Sequence, residues 1–202
     1  MSRTDAPPPA GTGVTDPATS PGPAPDGFAY QPPAVTTIEI SKEYLHFSSA
    51  HFTIFSATER EDLHGHTFNV TAEVTAAVGP DGLAFDYNLL KNELKAVCDW
   101  LDEKVLLPTR SPHLSLRREH LFEGTEYIVA RFNGEDLPFL ERDVLLLPVR
   151  NVAVEELAPW VLQTLVAIPG ITALDLHAMT IRVSSGAGQW AQAHWHGEHP
   201  GR

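Results

Sequence analysis

Two histidines flank a glycine in LHGHTF, residues 63 to 68, and the residues that follow alternate between apolar and polar. Side chains two apart on a strand point the same way, so His64 and His66 fall on the face of Phe68, Val70, Ala72, Val74, Ala76 and Val78. The run YLHFSSAHF, 44 to 52, groups Leu45, Phe47 and His51 on one side of another expected strand and sends a third imidazole toward the core. A single buried histidine is ordinarily a neutral ring held by a hydrogen bond. Three together supply the neutral nitrogen set that remains when a catalytic zinc keeps its fourth position for water or substrate. His51, His64 and His66 are therefore read as a metal site, with Zn2+ as the expected ion.

The elements that must position these rings follow from the periodicity. After the strand, PDGLAFDYNLLKNELKAVCDWLDEK reads as a turn at Pro80 to Gly82, a short extended piece, and a helix. Asp86 is its expected N-cap, and Leu90, Leu94, Val97, Cys98 and Leu101 recur at helical spacing. Cys98 is thereby a core residue rather than a nucleophile. A second helix is signalled by Val154, Leu157, Ala158, Val161, Leu162 and Leu165, with Asn151 before it. Pro159 conflicts with that pattern, since it lacks an amide hydrogen, and is expected to kink the helix or delay its start. In LHAMTIRVSSG, 176 to 186, alternation puts His177, Met179, Ile181 and Val183 on one side of a strand. The order strand, strand, helix, insert, helix, strand makes an α+β fold.

Composition narrows the partners. The chain has 202 residues, 43% hydrophobic, and a formal net charge of −12. That acidity argues against nucleic acid or an anionic membrane, both of which are bound through clustered Lys and Arg. A small molecule or another protein is expected instead. One cysteine forms no internal disulfide, and no apolar run approaches a membrane span or the core of a signal sequence, so a cytoplasmic protein is expected. Residues 1 to 34 hold nine of the 17 prolines and no repeating apolar pattern, and are read as a disordered Pro/Ala-rich tail. The folded domain is expected over 35 to 192, with an inserted segment at about 109 to 150.

FSSAHF, LHGHTFNVTAEV, GLAFDYNLLK, LDEKVL, NVAVEELA and IRVSSGAGQW, in this order, resemble the 6-pyruvoyltetrahydropterin synthase and 6-carboxytetrahydropterin synthase family over about residues 36 to 108 and 151 to 192. The resemblance implies the tunnelling fold: an antiparallel sheet with two helices on one face, whose subunits assemble into a barrel, usually a hexamer of two trimers. It also implies zinc held by the histidine of an F-S-x-x-H motif and the two of H-G-H, which are His51, His64 and His66 here. The family's substrates are reduced pterins carrying a triphosphate.

Beyond the metal the chain departs from the family. The proton-transferring cysteine of the loop before H-G-H is replaced by Thr58 or Arg60, according to the spacing used. The Asp-His pair after the first helix reads Asp102-Glu103, and the glutamate that grips the pterin ring aligns with Val183. Some branches use a loop glutamate instead of the cysteine. Glu59 and Glu61 are the candidates here, either as general base or as ordinary residues of a solvated charged loop. Asp102 is a candidate catalytic group or simply a helix-end residue. Arg60, Lys104 and Arg182 are the cations considered for a substrate phosphate.

In the insert, alternation in TEYIVARF and the apolar run VLLLP suggest a hairpin or two extra strands with NGED as a turn, covering the active site or extending the subunit interface. His113 and His120 are expected on its surface. Residues 193 to 202, with His194, His196 and His199, are read as a mobile C-terminal tail. Two functions result. One is a zinc-dependent lyase acting on a dihydroneopterin triphosphate-like pterin, with Glu59 or Glu61 in place of the cysteine. The other is a non-catalytic relative that keeps the metal and binds a purine- or pterin-like ligand or a partner protein. The three-histidine set with its open position favours the first.

Overall fold

The long alternating run becomes the centre of the molecule. In the computed structural model, which describes residues 31–197, strand β3 spans His64–Ala77 and buries Phe68, Val70, Ala72, Val74 and Ala76 on one face. On one side of it run two antiparallel neighbours in succession: β2 (His46–His51) along its first half and β1 (Val35–Ile40) along its second. The expected grouping of Leu45, Phe47 and His51 holds, for all three are buried. On the other side lie β9 (Leu176–Gly186) and then β10 (Gln189–His196). With β4 (Val105–Pro108) and β8 (Val144–Leu147), the order in this seven-stranded sheet is β10-β9-β3-β2-β4-β8, with β1 beside β3.

Two strands make the sheet mixed rather than purely antiparallel. β4 (Val105–Pro108) joins β2 in parallel, and β8 (Val144–Leu147) joins β4 in parallel. The cause is connectivity: a parallel neighbour needs a crossover that carries the chain back to its starting end. Helix α1 (Tyr87–Leu101) lies between β3 and β4, and the insert lies between β4 and β8.

Both helices cover the same sheet face. Asp86 caps α1, its Oδ1 accepting from the Asn88 amide at 2.9 Å, and Leu90, Leu94, Val97, Cys98 and Leu101 enter the core. Helix α2 runs unbroken from Val154 to Val166, so Pro159 neither delays its start nor ends it. The proline withholds one hydrogen bond, a cost of about 3 kcal/mol in a helix interior. Leu157, Val161, Leu162 and Leu165 are buried, and at about 1.5–3 kcal/mol for each such side chain their burial outweighs it. The N-cap position of α2 is Ala153, without a side-chain bond. A short turn of helix, α3 (Pro169–Thr172), follows.

The alternation expected for the last long strand shifts by one residue at its start. The register between β3 and β9 slips at Thr75/Ala76, so Leu176 is buried and His177 is half-buried. The C-terminal segment also differs from the expected tail. Residues 193–196 belong to β10, because Ala191, Ala193 and Trp195 pack against the core while His194 and His196 face outward. Residues 198–202, His199 among them, lie outside the described residues, as do residues 1–30 of the expected N-terminal tail.

The insert forms a sheet of its own. β5 (Ser115–Leu121), β6 (Thr125–Phe132) and β7 (Glu135–Leu140) pair antiparallel in sequence. The β6–β7 turn is the expected one, with Asn133 at φ 46° and Gly134 at φ 85°, the left-handed pair that a tight hairpin requires. The VLLL run does not belong to this sheet; it is β8 of the main one. Ile128, Ala130 and Phe132 form a second core with Phe52, Ile54, Leu107 and Leu114. His113 and His120 are exposed. Among the described residues, no helix is long and apolar enough to cross a membrane.

Candidate metal centre

Strand pairing brings the three imidazoles together. His51 ends β2 directly opposite His64, the first residue of β3, and His66 lies two residues further along the same face. One ring nitrogen from each falls within 4.8 Å of the others. The Nε2 atoms of His64 and His66 are 3.1 Å apart. Two nitrogens bound to one tetrahedral zinc at about 2.0–2.1 Å would be separated by about 3.3 Å.

The far side of two rings fixes which nitrogen is free. His51 Nδ1 is 2.7 Å from the Val152 carbonyl and His64 Nδ1 is 2.8 Å from the Asp62 carbonyl. A carbonyl has no proton to give, so Nδ1 carries the hydrogen in both and Nε2 keeps its lone pair. His51 Nε2 is buried and has no hydrogen-bond partner. A buried nitrogen without a partner needs an explanation, and a cation supplies one. Burial, ahead of the opposing bond to Val152, pushes the His51 pKa down and keeps the ring neutral, as a ligand must be. The donor set fits a divalent metal.

The loop between β2 and β3 folds back on itself. Phe55 donates to the Glu59 carbonyl, and Glu61 donates to the Thr53 carbonyl, each at 2.9 Å. Asn151 anchors this loop from the opposite end of the chain: its Oδ1 accepts from the Ile54 amide at 3.1 Å and its Nδ2 donates to the Ile54 carbonyl at 2.9 Å. The folding-back separates the two glutamates. Glu61 lines the cavity beside the histidines, with Oε2 3.9 Å from His64 Nε2 and accepting from the Thr53 amide at 2.9 Å. Burial raises its pKa, but the Thr53 hydrogen bonds and the nearby His64 and His51 outweigh burial and hold it below the usual carboxylate value. Glu59 is exposed at the loop and does not line the cavity.

The other residues singled out in the sequence are dispersed. Asp102 ends α1, where its Oδ1 accepts from the Ser48 amide at 2.6 Å, and it is not part of the cavity wall. Arg60 points away toward Phe52 and Phe132, and Lys104 Nζ donates to the Arg142 carbonyl at 3.0 Å. Arg182 reaches Glu73 at 3.7 Å. None of these cations lines the cavity. Val183 is fully buried in the main core, and Cys98 lies in the same core with its thiol pushed up to about 12, by burial first and by Asp99 second.

Several participants carry no signal in the sequence. The cavity, about 380 Å³, is completed by Thr53, Glu155 of α2, and Ser185, Gln189 and Trp190 from the β9–β10 connection. The Val152 and Asp62 carbonyls act through the main chain, which side-chain identity does not reveal. Trp190, 61% exposed, was also missed, though a large aromatic beside a Gly-rich turn is a signal that could have marked it.

Comparison with known proteins bears on this arrangement. The sequence profile of the family described as 6-pyruvoyl tetrahydropterin synthase matches residues 39–194. A Methanocaldococcus jannaschii protein provisionally named 6-carboxy-5,6,7,8-tetrahydropterin synthase is 26% identical over 149 residues, 73% of this chain and 88% of its own. The structure of 6-pyruvoyl tetrahydropterin synthase from Plasmodium falciparum superposes with a TM-score of 0.71 at 28% identity, covering 81% of this chain and 99% of that one. A Plasmodium vivax 6-pyruvoyltetrahydropterin synthase in which a catalytic glutamate is replaced by alanine superposes with a TM-score of 0.71 at 25% identity, over 80% of this chain and 98% of that one.

Proposed function

We propose, from the premise that this chain belongs to the 6-pyruvoyl tetrahydropterin synthase family, that it is a zinc-dependent lyase acting on a dihydroneopterin triphosphate-like reduced pterin. His51, His64 and His66 would hold the zinc. The bound ion would polarise oxygen substituents on the pterin side chain and so acidify the neighbouring carbon-bound protons. Glu61 is the general base of this reading. Its carboxylate is ionised near neutral pH and stands beside the ligand set, held in place by the Thr53 amide. The observation that carries the proposal is this juxtaposition of a carboxylate with three converging imidazoles, of which His51 keeps a buried Nε2 without a hydrogen-bond partner. The glutamate named catalytic in the Plasmodium vivax protein supports a carboxylate in that role.

Trp190 and Gln189 border the remaining space, where a flat heterocycle can lie against the indole. Assembly into a barrel of like subunits belongs to the same proposal. The test is direct: purify the protein with its metal, determine the metal, incubate with dihydroneopterin triphosphate and follow product by mass. Consumption that disappears in Glu61→Ala supports the lyase.

A second reading, a metal-containing binder without turnover, draws on Val183. Its burial among apolar side chains leaves no carboxylate at the position that the family resemblance assigns to ring binding. Retained metal and pterin binding with no conversion of any reduced pterin would favour it.

A further inference from the structure

The segment between Pro108 and Asn151 takes no part in the chemistry above, yet its apolar side is not turned to solvent. Phe132 and Ile128 of β6 share a core with Phe52 and Ile54, which belong to the strand end and loop leading to Glu61. One polar side chain crosses between them. The guanidinium carbon of Arg60 lies 5.0 Å from the centre of the Phe52 ring and 5.8 Å from that of Phe132, inside the ~6 Å over which a ring face attracts a cation. Its Nη1 donates to the main-chain carbonyl of Glu61 at 2.7 Å.

That bond is placed where the loop needs it. The fold-back at 53–61 is held by an Ile54–Arg60 bridge and a few main-chain bonds, and so short a pairing is marginal without outside packing. On one flank Asn151 grips Ile54. On the other, Arg60 grips the carbonyl of the residue whose carboxylate faces the histidines. A planar guanidinium can lie against rings and still donate from its edge, which an ammonium cannot do as well.

We propose that the inserted sheet positions Glu61 through Arg60: the Phe52 and Phe132 rings hold the guanidinium, and the guanidinium holds the Glu61 main chain so that its carboxylate stays on the metal side of the loop. Arg60 and Phe132 are positioning residues, and the insert is a buttress rather than a cover. The effect on turnover rests on the function proposed above; the effect on the loop does not.

Amide hydrogen exchange and kinetics on the metal-loaded full chain test this. Arg60→Met and Phe132→Leu should each raise exchange across residues 53–63 about tenfold or more, with β3 and α1 at wild-type rates and metal content unchanged. Turnover of dihydroneopterin triphosphate should fall at least tenfold at unchanged KM, since a displacement of about 1 Å in a reacting group, caused by a mutation far from the chemistry, can cost about a hundredfold. Arg60→Lys should recover little of the loss. In a Glu61→Gln background, Arg60→Met should change the residual turnover less than twofold. Unchanged loop exchange in both single variants would overturn the proposal, as would an equal turnover loss with and without the Glu61 carboxylate. If the wild-type protein converts no pterin, the exchange result alone decides, and only the catalytic reading is lost.

Discussion

His51 at the end of β2 donates its Nδ1 hydrogen to the carbonyl of Val152, 2.7 Å away and 101 residues later in the chain. This bond leaves the bare Nε2 on the side of His64 and His66, and it joins the strand that ends in His51 to the segment that enters α2. The orientation of this ring and the approach of α2 to the sheet are therefore coupled.

The first prediction concerns that ring. His51→Ala should abolish stoichiometric metal, exceeding the about 10–100-fold loss of affinity that follows from disturbing a ligand's outer partner. It should also lower the unfolding midpoint, because the Val152 carbonyl loses its donor inside the fold. Metal analysis after dialysis, with chemical denaturation of the same sample, measures both. Full metal retention in His51→Ala would remove the ring from the ligand set.

Glu61 and Glu59 are separated by a single pair of variants. Glu61→Gln keeps the shape of the side chain and an acceptor for the Thr53 amide but removes the base, so turnover should drop by about 10²–10⁴-fold with little change in stability. Glu59→Gln, on the exposed side of the loop, should leave turnover within twofold of wild type. Steady-state rates on metal-loaded protein give the comparison, and the reverse ranking would transfer the base to Glu59.

Asp102 offers a test of structure against chemistry. Its Oδ1 accepts from the Ser48 amide at 2.6 Å, a bond that asparagine can still make. Asp102→Asn should therefore fold with nearly native stability, whereas Asp102→Ala should cost about 0.5–1.5 kcal/mol by removing this exposed bond. If turnover collapses in the stable asparagine variant, the carboxylate charge serves the reaction as well as the fold. Thermal and urea unfolding set beside rate measurements distinguish the two.

Cys98 predicts an alkaline limit. The folded thiol is pushed up to about 12 from an ordinary 9.0, by burial first. The unfolded chain thus releases its proton at lower pH than the folded one. The resulting stability is complete below about pH 9 and is lost as pH rises from there toward 12. Three pK units correspond to an upper bound on the order of 4 kcal/mol. Unfolding midpoints between pH 8 and 11 should fall accordingly, less steeply in Cys98→Ala once its own cavity cost is subtracted. Iodoacetamide at pH 8 should label the unfolded chain and leave the folded one untouched.

Periodicity in the chain was sufficient for the central strand, both helices and the shared face of the three histidines. A strand's two-residue repeat and a helix's 3.6-residue repeat are local properties, so the alternation around Phe68 and the spacing from Leu90 to Leu101 had one reading each. The same locality explains where the sequence misled. Pro159 disfavours a helix by its own chemistry, and only the burial of its neighbours, a nonlocal term, overrides that. The shift that buries Leu176 in place of the His177 position arises from a slip against β3, which β9 alone does not encode. Trp195 gains its value from packing against the main core, so the end of the chain looked unstructured until that core was in place.

At the site, residue type and spacing alone grouped His51, His64 and His66 on one face, and strand pairing brings one ring nitrogen of each within 4.8 Å of the others. Choosing Glu61 over Glu59 required the fold. Both are carboxylates two residues apart in a charged loop, and only the fold-back held by Thr53, Asn151 and Arg60 turns one toward the histidines and leaves the other outside. The Val152 and Asp62 carbonyls were invisible for a related reason: every residue has a carbonyl, and what distinguishes these two is where the tertiary structure aims them.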